Sequence, residues 1–369
     1  MSTSKRILSV DIFRGATIAA MILVNNPGTW GAIYPPLMHA DWHGLTPTDL
    51  IFPFFLFIVG MSITFAYTKK KAIGITKDVY LKIISRTIKL IVLGLILAGF
   101  LINFPFFKDF SDLRLPGVLQ RIGVVFFIAS LLFLHLNWKA IFALFVVILI
   151  GYWLIMTQIP IDSELPLLTK EHNWATIIDQ KILTLDHMWK IYDPEGILST
   201  LPAIATTIFG MFIGKILLSK NRTEYEKLRL FIVVGVIALI IGYVWGAVFP
   251  VNKALWTSSF VLVTGGWACL VYAAIYYFAD VLDFKNWGKP AIIFGSNAIT
   301  VYFLSGVFAR LFGMIKLPNG NSIHGNLYEF LSSIITIPKL SSLIYAIFVI
   351  LFYYLIALFL YKRKIFIKV

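Results

Sequence analysis

Apolar runs of about 20 residues recur along the whole chain, and no other feature constrains its fold as strongly. A helix of that length crosses a bilayer with every backbone N–H and C=O paired internally. A transmembrane β-barrel would instead show alternating segments of about ten residues. The expected fold is an all-α polytopic membrane protein, a bundle of about ten transmembrane helices. The spans fall near 8–27, 49–68, 85–104, 117–136, 139–158, 197–218, 229–249, 256–279, 289–312 and 339–361. The third is the most polar, with Arg86 and Lys89 near its start, and those side chains are expected to snorkel to the interface. The chain, 1–369, reads as one membrane domain.

Charge sets the orientation. With a cytoplasmic N-terminus, 21 of the 32 Lys and Arg fall on the inner side and eight on the outer. Basic residues collect in cytoplasmic loops, so both termini are expected in the cytoplasm. The net charge of +14 is then a matter of topology. No basic stripe with aromatic platforms is present, which argues against a nucleic-acid partner. The single cysteine, Cys269, excludes a disulfide or thiolate metal site within one chain. Asp11 and Arg14 interrupt the first apolar run and no small-x-small pattern follows, so a cleaved signal peptide is not expected.

The polar residues within and beside the spans carry the chemistry. Charged groups in a membrane segment are costly and point to function. Asp11 and Arg14 lie one turn apart on one helix face. Either they neutralise each other, or Arg14 faces a polar cavity and meets an anion such as a phosphate. Asn25 and Asn26 either end the helix before Pro27-Gly28 or donate to a developing oxyanion. On the outer side, His39 and His43 have metal-ligand spacing, but Gly44 follows, Pro35 and Pro36 precede, and nothing completes a site, so no metal is expected. His39 beside Trp42 instead suits a base or nucleophile. Thr46, Pro47 and Asp49 read as N-cap, N1 and N3 of the second span, which explains Asp49 as a capping acid. Gln120 and Arg121 either snorkel or line a path for an acidic acceptor or the acyl donor. Asp193 and Glu195 in DPEG read as the first turn of an outer helix, or as contacts to a polar acceptor. Asn297, mid-span, is glue between helices or a ligand contact. Gly210 and Gly214 read as close-packing positions. These features alone describe a polar cavity with a His-rich outer mouth, which suits a transporter as well as an enzyme.

The stretch RILSVDIFRGATIAAMILVNN…HADWHGLTPTDLIFPFFLFIVGMSI closely resembles the heparan-α-glucosaminide N-acetyltransferase family of transmembrane acyltransferases. LPGVLQRIGV, DPEGILST, PVNKALWTSSFV, NAITVY and YKRKIFIKV follow in family order, so the resemblance covers nearly the whole chain. It implies transfer of acetyl from cytosolic acetyl-CoA to a glucosamine-like amine across the membrane. The family's HAxWxGxT histidine falls on His39, and its VN asparagine on Asn25. The CoA diphosphate is expected at Arg14, Lys215 and Lys289, with Arg121 and Asn297 also on the donor side. The acceptor is expected at Trp42, Asp193 and Glu195. The chain begins almost at its first span, as in compact bacterial members without a lumenal N-terminal domain, so the expected location is a bacterial inner membrane. The expected partners are a small-molecule or glycan acceptor, membrane lipids and a second copy in a homodimer. An O-acyltransferase acting on an envelope glycan or lipid sugar, or a polar-metabolite transporter, are the alternative readings.

Overall fold

A computed structural model describes residues 7–101, 106–284 and 286–367. Lys5, Arg6, Lys285, Lys368 and positions 102–104 of the expected third span lie outside the described residues. The regular structure within them is helical, with only isolated β-bridges. In chain order the helices are α1 (Leu8–Asn25), α2 (Ile51–Ile73), α3 (Lys77–Gly99), α4 (Val118–His135), α5 (Trp138–Gln158), α6 (Trp174–Leu183), α7 (Thr200–Leu217), α8 (Glu224–Gly246), α9 (Ser258–Tyr276), α10 (Lys289–Ser296), α11 (Ala298–Met314), α12 (Ile323–Ile334) and α13 (Pro338–Lys362).

A helix or helix pair stands at each of the ten expected positions. Eight are long and apolar enough to cross a membrane, nine when α10 and α11 count as one span, among the described residues. The remaining one, α3, carries Lys82, Arg86 and Lys89. Arg86 corrects the snorkelling expectation: its guanidinium lies 4.5 Å from the Phe126 ring, and its Nε is buried. The span expected at 289–312 is likewise not one helix. It breaks at Asn297, where α10 and α11 meet at 68°. The loops expected at 159–196 and 313–338 contain the short helices α6 and α12.

Helices α2, α7 and α9 form the buried centre, whereas α5, α8 and α13 turn most of their residues outward. Membrane helices gain little from hiding leucine in lipid, so small residues and backbone contact hold the centre together. A Cβ on Gly210 would lie 2.0 Å from the Phe57 carbonyl oxygen, and one on Gly60 1.9 Å from that of Thr207. Here α2 and α7 touch backbone to backbone, and the Thr207 hydroxyl donates to the Leu56 carbonyl across the seam at 3.2 Å. Gly210 and Gly214 are thus packing positions, as their spacing suggests. The crossing of α1 and α10 is equally close: a Cβ on Gly15 would overlap the Ala291 carbonyl at 1.6 Å.

Candidate active site

The chain leaves α1 at Asn25 and re-enters the bundle through a one-turn 3-10 helix, Pro47–Leu50, that leads into α2. The intervening loop is fixed by the capping box at its end. Asp49 Oδ2 accepts the backbone N–H groups of Thr46 and Ala40, both at 3.1 Å. The expected cap is therefore present, with Thr46 and Asp49 in the expected roles.

Asp49 also does something that the capping pattern does not require. Its other oxygen, Oδ1, lies 2.7 Å from His39 Nδ1. The aspartate is buried while the His39 side chain is 49% exposed. An ionised carboxylate only accepts, so Nδ1 carries the proton and Nε2 keeps its lone pair. The imidazole is thus held in one tautomer with its basic nitrogen directed away from Asp49, an orienting pattern shared by many general bases.

Lys253 completes the cluster from the α8–α9 loop. Its Nζ lies 3.5 Å from Asp49 Oδ1, 3.0 Å from His39 Nδ1 and 3.3 Å from His39 Nε2. An ammonium cannot donate to a nitrogen that is itself donating, so Lys253 acts as the counter-charge of Asp49 and, of the two ring nitrogens, has only the Nε2 lone pair to donate to. Burial pulls the Lys253 ammonium below the usual lysine range, against the attraction of Asp49. The loop is stitched to the His39 loop at two further points. Gly44 N–H donates to the Val251 carbonyl at 2.8 Å, and the Asn252 amide lies 3.2 Å from His43 Nδ1. Burial lowers the His43 pKa. His43 thus ties two loops together and stands outside the His39–Asp49 pair.

These residues line a cavity of about 330 Å³. His39, Asn25, Trp42 and Glu195, all expected site residues, meet there with Asp49, Lys253, Arg114, Trp189, Tyr192 and Tyr302. Asn25 is exposed in its wall. The Trp42 indole donates to the Leu168 carbonyl at 2.7 Å and meets Tyr192 edge-on at 5.0 Å. DPEG is not the first turn of a helix, because α7 starts only at Thr200. Instead, Arg114 grips it. Nε and Nη2 donate to the two Asp193 oxygens at 2.8 and 2.6 Å, and Nη2 also to Glu195 at 2.6 Å. Asp193 is buried in that fork and is absent from the cavity wall, so it shapes the wall rather than facing its interior.

The residues expected around a donor do not all converge. Arg14 and Asn297 do: they line a second cavity of about 340 Å³ with Ser62, Arg86 and Ser296. Arg14 reaches Asp11 at 3.4 Å and donates to the Ser62 hydroxyl at 3.1 Å. Asn297 lines this cavity, and its amide pins the C-terminal segment through Ile365 and Ile367 at 3.0 and 2.9 Å. Arg121 lies at the other end of the bundle, buried, donating to the Gly196 carbonyl and the Ser199 hydroxyl. Lys215 sits 4.6 Å over the Trp138 ring and Lys289 is exposed at the start of α10, neither in the Arg14 cavity.

The two cavities are stacked along the same helices. Phe52 lines one and Phe55 the other on α2, as do Tyr302 and Ile299 on α11. Three residues of helix rise about 4.5 Å, so a wall about one turn thick divides them. No group of three or more potential metal-binding side chains occurs among the described residues.

Sequence reasoning missed Asp49, Lys253, Arg114 and Arg86 as site residues. For Asp49 the signal was present in TPTDL, but capping already accounted for it. Lys253 stands in PVNKALW, 204 residues beyond Asp49, with nothing local to join them.

A family model described as heparan-alpha-glucosaminide N-acetyltransferase, catalytic, matches residues 6–247. The Homo sapiens heparan-alpha-glucosaminide N-acetyltransferase is 31% identical over 423 aligned residues, covering 99% of this chain and 60% of that protein. The Mus musculus protein of the same name is 28% identical, covering 82% of this chain and 53% of its own length. The chain thus spans at most about three-fifths of these relatives. With the family model covering well over half of it, the chain belongs to the heparan-alpha-glucosaminide N-acetyltransferase catalytic family.

Proposed function

We propose that this chain is a transmembrane N-acetyltransferase. It moves acetyl from acetyl-CoA, bound at the Arg14 end on the cytoplasmic side, to the amine of a glucosamine-like sugar at the His39 end. The observation that carries this reading is the 2.7 Å contact between His39 Nδ1 and Asp49 Oδ1 at a cavity mouth in a chain of this family. A transporter has no need of a histidine held in one tautomer. The membrane in this reading is a bacterial inner membrane, with the basic ends of the helices inside.

The Arg14 cavity suits the donor. Arg14 and Arg86 bring two guanidinium groups to its wall, and the Arg86 Nε is buried with no partner among the described residues. The N-terminus of α11 begins in the same wall at Ala298. Guanidinium forks and a helix N-terminus both favour phosphate oxygens. Acetyl-CoA supplies the activated acetyl group as its thioester. For the pantetheine arm to reach His39, the Phe52–Phe55 wall must open.

At the other end the chain's own groups divide the work. His39 Nε2 removes the proton from the acceptor amine as the amine nitrogen attacks the thioester carbonyl, the C–S bond breaks and the CoA thiolate leaves and takes up that proton. Alternatively, Nε2 itself displaces the thiolate and carries the acetyl as an acyl-imidazole until the amine takes it and frees the imidazole. Both routes use the same lone pair and the same Asp49 support. As Nε2 gains positive charge, the Asp49 carboxylate stabilises the imidazolium. Asn25 donates its amide N–H to the carbonyl oxygen as negative charge develops there. Trp42 and Glu195 face the acceptor from the remaining wall.

The test is sidedness in proteoliposomes. Protein reconstituted with acetyl-CoA outside and glucosamine trapped inside should produce N-acetylglucosamine in the lumen for molecules with the Arg14 end outward. Glucosamine crossing without acetylation, or no acetylated product with either orientation, would refute the reading.

A further inference from the structure

A third cavity, of about 410 Å³, lies between α11, α12 and α13. Phe312, Leu327, Phe330, Phe348 and Phe352 line it. Phe330, Phe348 and Phe352 are 64%, 55% and 42% exposed, so the cavity opens to the outside of the bundle. Along α13 the lining runs from Tyr345 to Tyr353. Counted from the start of that helix at Pro338, these positions lie about 10 to 22 Å along a span that crosses a hydrocarbon core about 30 Å thick. Lipid tails, not water, therefore surround the opening.

One end of the cavity is polar. His324 Nε2 lies 2.9 Å from the Gly28 carbonyl oxygen, and Nδ1 lies 3.1 Å from the Tyr345 hydroxyl. A carbonyl only accepts, so Nε2 carries the proton and the Nδ1 lone pair takes the Tyr345 O–H, which suits a neutral ring. Asn26, two residues before Gly28, lines this cavity, while Asn25 lines the one at His39. The two cavities thus meet neighbouring residues at the end of α1. No Lys, Arg, Asp or Glu lines the third cavity among the described residues.

That composition defines the ligand. The apolar wall, open to the bilayer, suits a hydrocarbon tail. A tail gains little by leaving other lipid for an apolar wall, so the head decides which lipid binds. A phosphate head would lose water with no cation to meet it. Hydroxyls on an uncharged linkage fit, because Tyr345 and Asn26 carry oxygens that accept.

We propose that this cavity holds the tail of a glycolipid whose head is the amino sugar that His39 acetylates. The tail lies between α11, α12 and α13, and the head leaves it at the end of α1, beside Asn25. The identity of the head rests on the acetyl-transfer reading; the tail site does not.

The experiment compares methyl and dodecyl glucosaminide as acceptors of the purified full chain. A tail bound in the cavity makes engagement of the head intramolecular, so the dodecyl compound should show kcat/KM at least about tenfold higher. Partition into detergent also favours the dodecyl compound, and a filled cavity separates the two effects. In Ala309→Trp the ratio should fall several-fold while the methyl compound reacts as in wild type. Leu331→Trp fills the cavity from α12 and gives the same reading if the first variant does not fold. Equal kcat/KM for both compounds in wild type overturns the site, as does a ratio unchanged in both variants. Photolabelling in nanodiscs reads the site without turnover, using dodecyl glucosaminide and phosphatidylcholine that carry the same tail diazirine. Stronger labelling of α11–α13 by the glucosaminide, lost in the filled variants, upholds the site. Equal labelling by both lipids means ordinary bilayer contact and overturns it. If neither glucosaminide is acetylated, the acetyl-transfer reading falls by itself and the labelling alone decides the tail site.

Discussion

Replacing Asp49 by Asn separates its two tasks. The carboxamide oxygen can take the place of Oδ2 and keep the N–H groups of Ala40 and Thr46, so the helix start survives. The amide nitrogen then replaces Oδ1, 2.7 Å from His39 Nδ1. It donates where the carboxylate accepted, and His39 must place its proton on Nε2 to remain paired. To act as a base, the ring must return to the other tautomer with two donors facing each other. That forfeits one hydrogen bond, about 1 kcal/mol, and leaves a buried donor unpaired, about 2 kcal/mol more. A barrier raised by about 3 kcal/mol lowers kcat about 150-fold. The stability change should exceed the ~1 kcal/mol of a lost charged cap, because the Lys253 ammonium also loses its buried counter-charge. The assay is initial-rate transfer from labelled acetyl-CoA to a glucosamine acceptor, with melting followed in the same detergent. A kcat within threefold of wild type would refute the claim that Asp49 sets the His39 tautomer.

Three further outcomes follow from the same structure. Arg86→Gln should weaken acetyl-CoA binding by about tenfold, measured by calorimetry, because a phosphate contact to a guanidinium is charge-assisted. An unchanged Kd removes Arg86 from the donor site. Gly210→Val drives a side chain into the Phe57 backbone, where a Cβ alone would sit 2.0 Å from the carbonyl oxygen. It should cost at least about 3 kcal/mol or prevent folding, read as lost monodispersity on size-exclusion chromatography. Burial pushes the Asp179 carboxyl up to about 6, from an unfolded value near 3.8. A raised carboxyl pKa means that the folded state holds the proton more tightly. This contribution to stability is full below about pH 4 and is lost as the pH rises through 6. Asp179→Asn should therefore match wild type in melting temperature near pH 4 and exceed it near pH 7. A gap that does not widen with pH contradicts this assignment.

The span positions could be read from the sequence because membrane length and apolarity are local properties. The cap at Thr46–Asp49 could be read for the same reason, and so could the close-packing glycines on α7. His39, Asn25 and Trp42 line one cavity. What escaped the sequence depends on contacts between distant segments. Lys253 reaches Asp49 only because the α8–α9 loop is tied to the His39 loop through Gly44 and Asn252. Arg114 meets DPEG across 79 residues of chain, which turns an apparent helix start into a gripped turn. The break at Asn297 lies in a run apolar enough for one helix. It shows only where α10 crosses α1 at Gly15 and the C-terminal segment binds the Asn297 amide. Arg86 looked like an interfacial cation because hydropathy does not tell the lipid face of a helix from its inner face.

The central claim is that His39 performs the transfer with Asp49 behind it. The most direct measurement sets wild type and His39→Ala side by side in acetyl transfer to a glucosamine acceptor and in calorimetric titration with acetyl-CoA. Loss of transfer by at least about a hundredfold with unchanged acetyl-CoA affinity is the predicted result. Turnover in His39→Ala equal to wild type would contradict it.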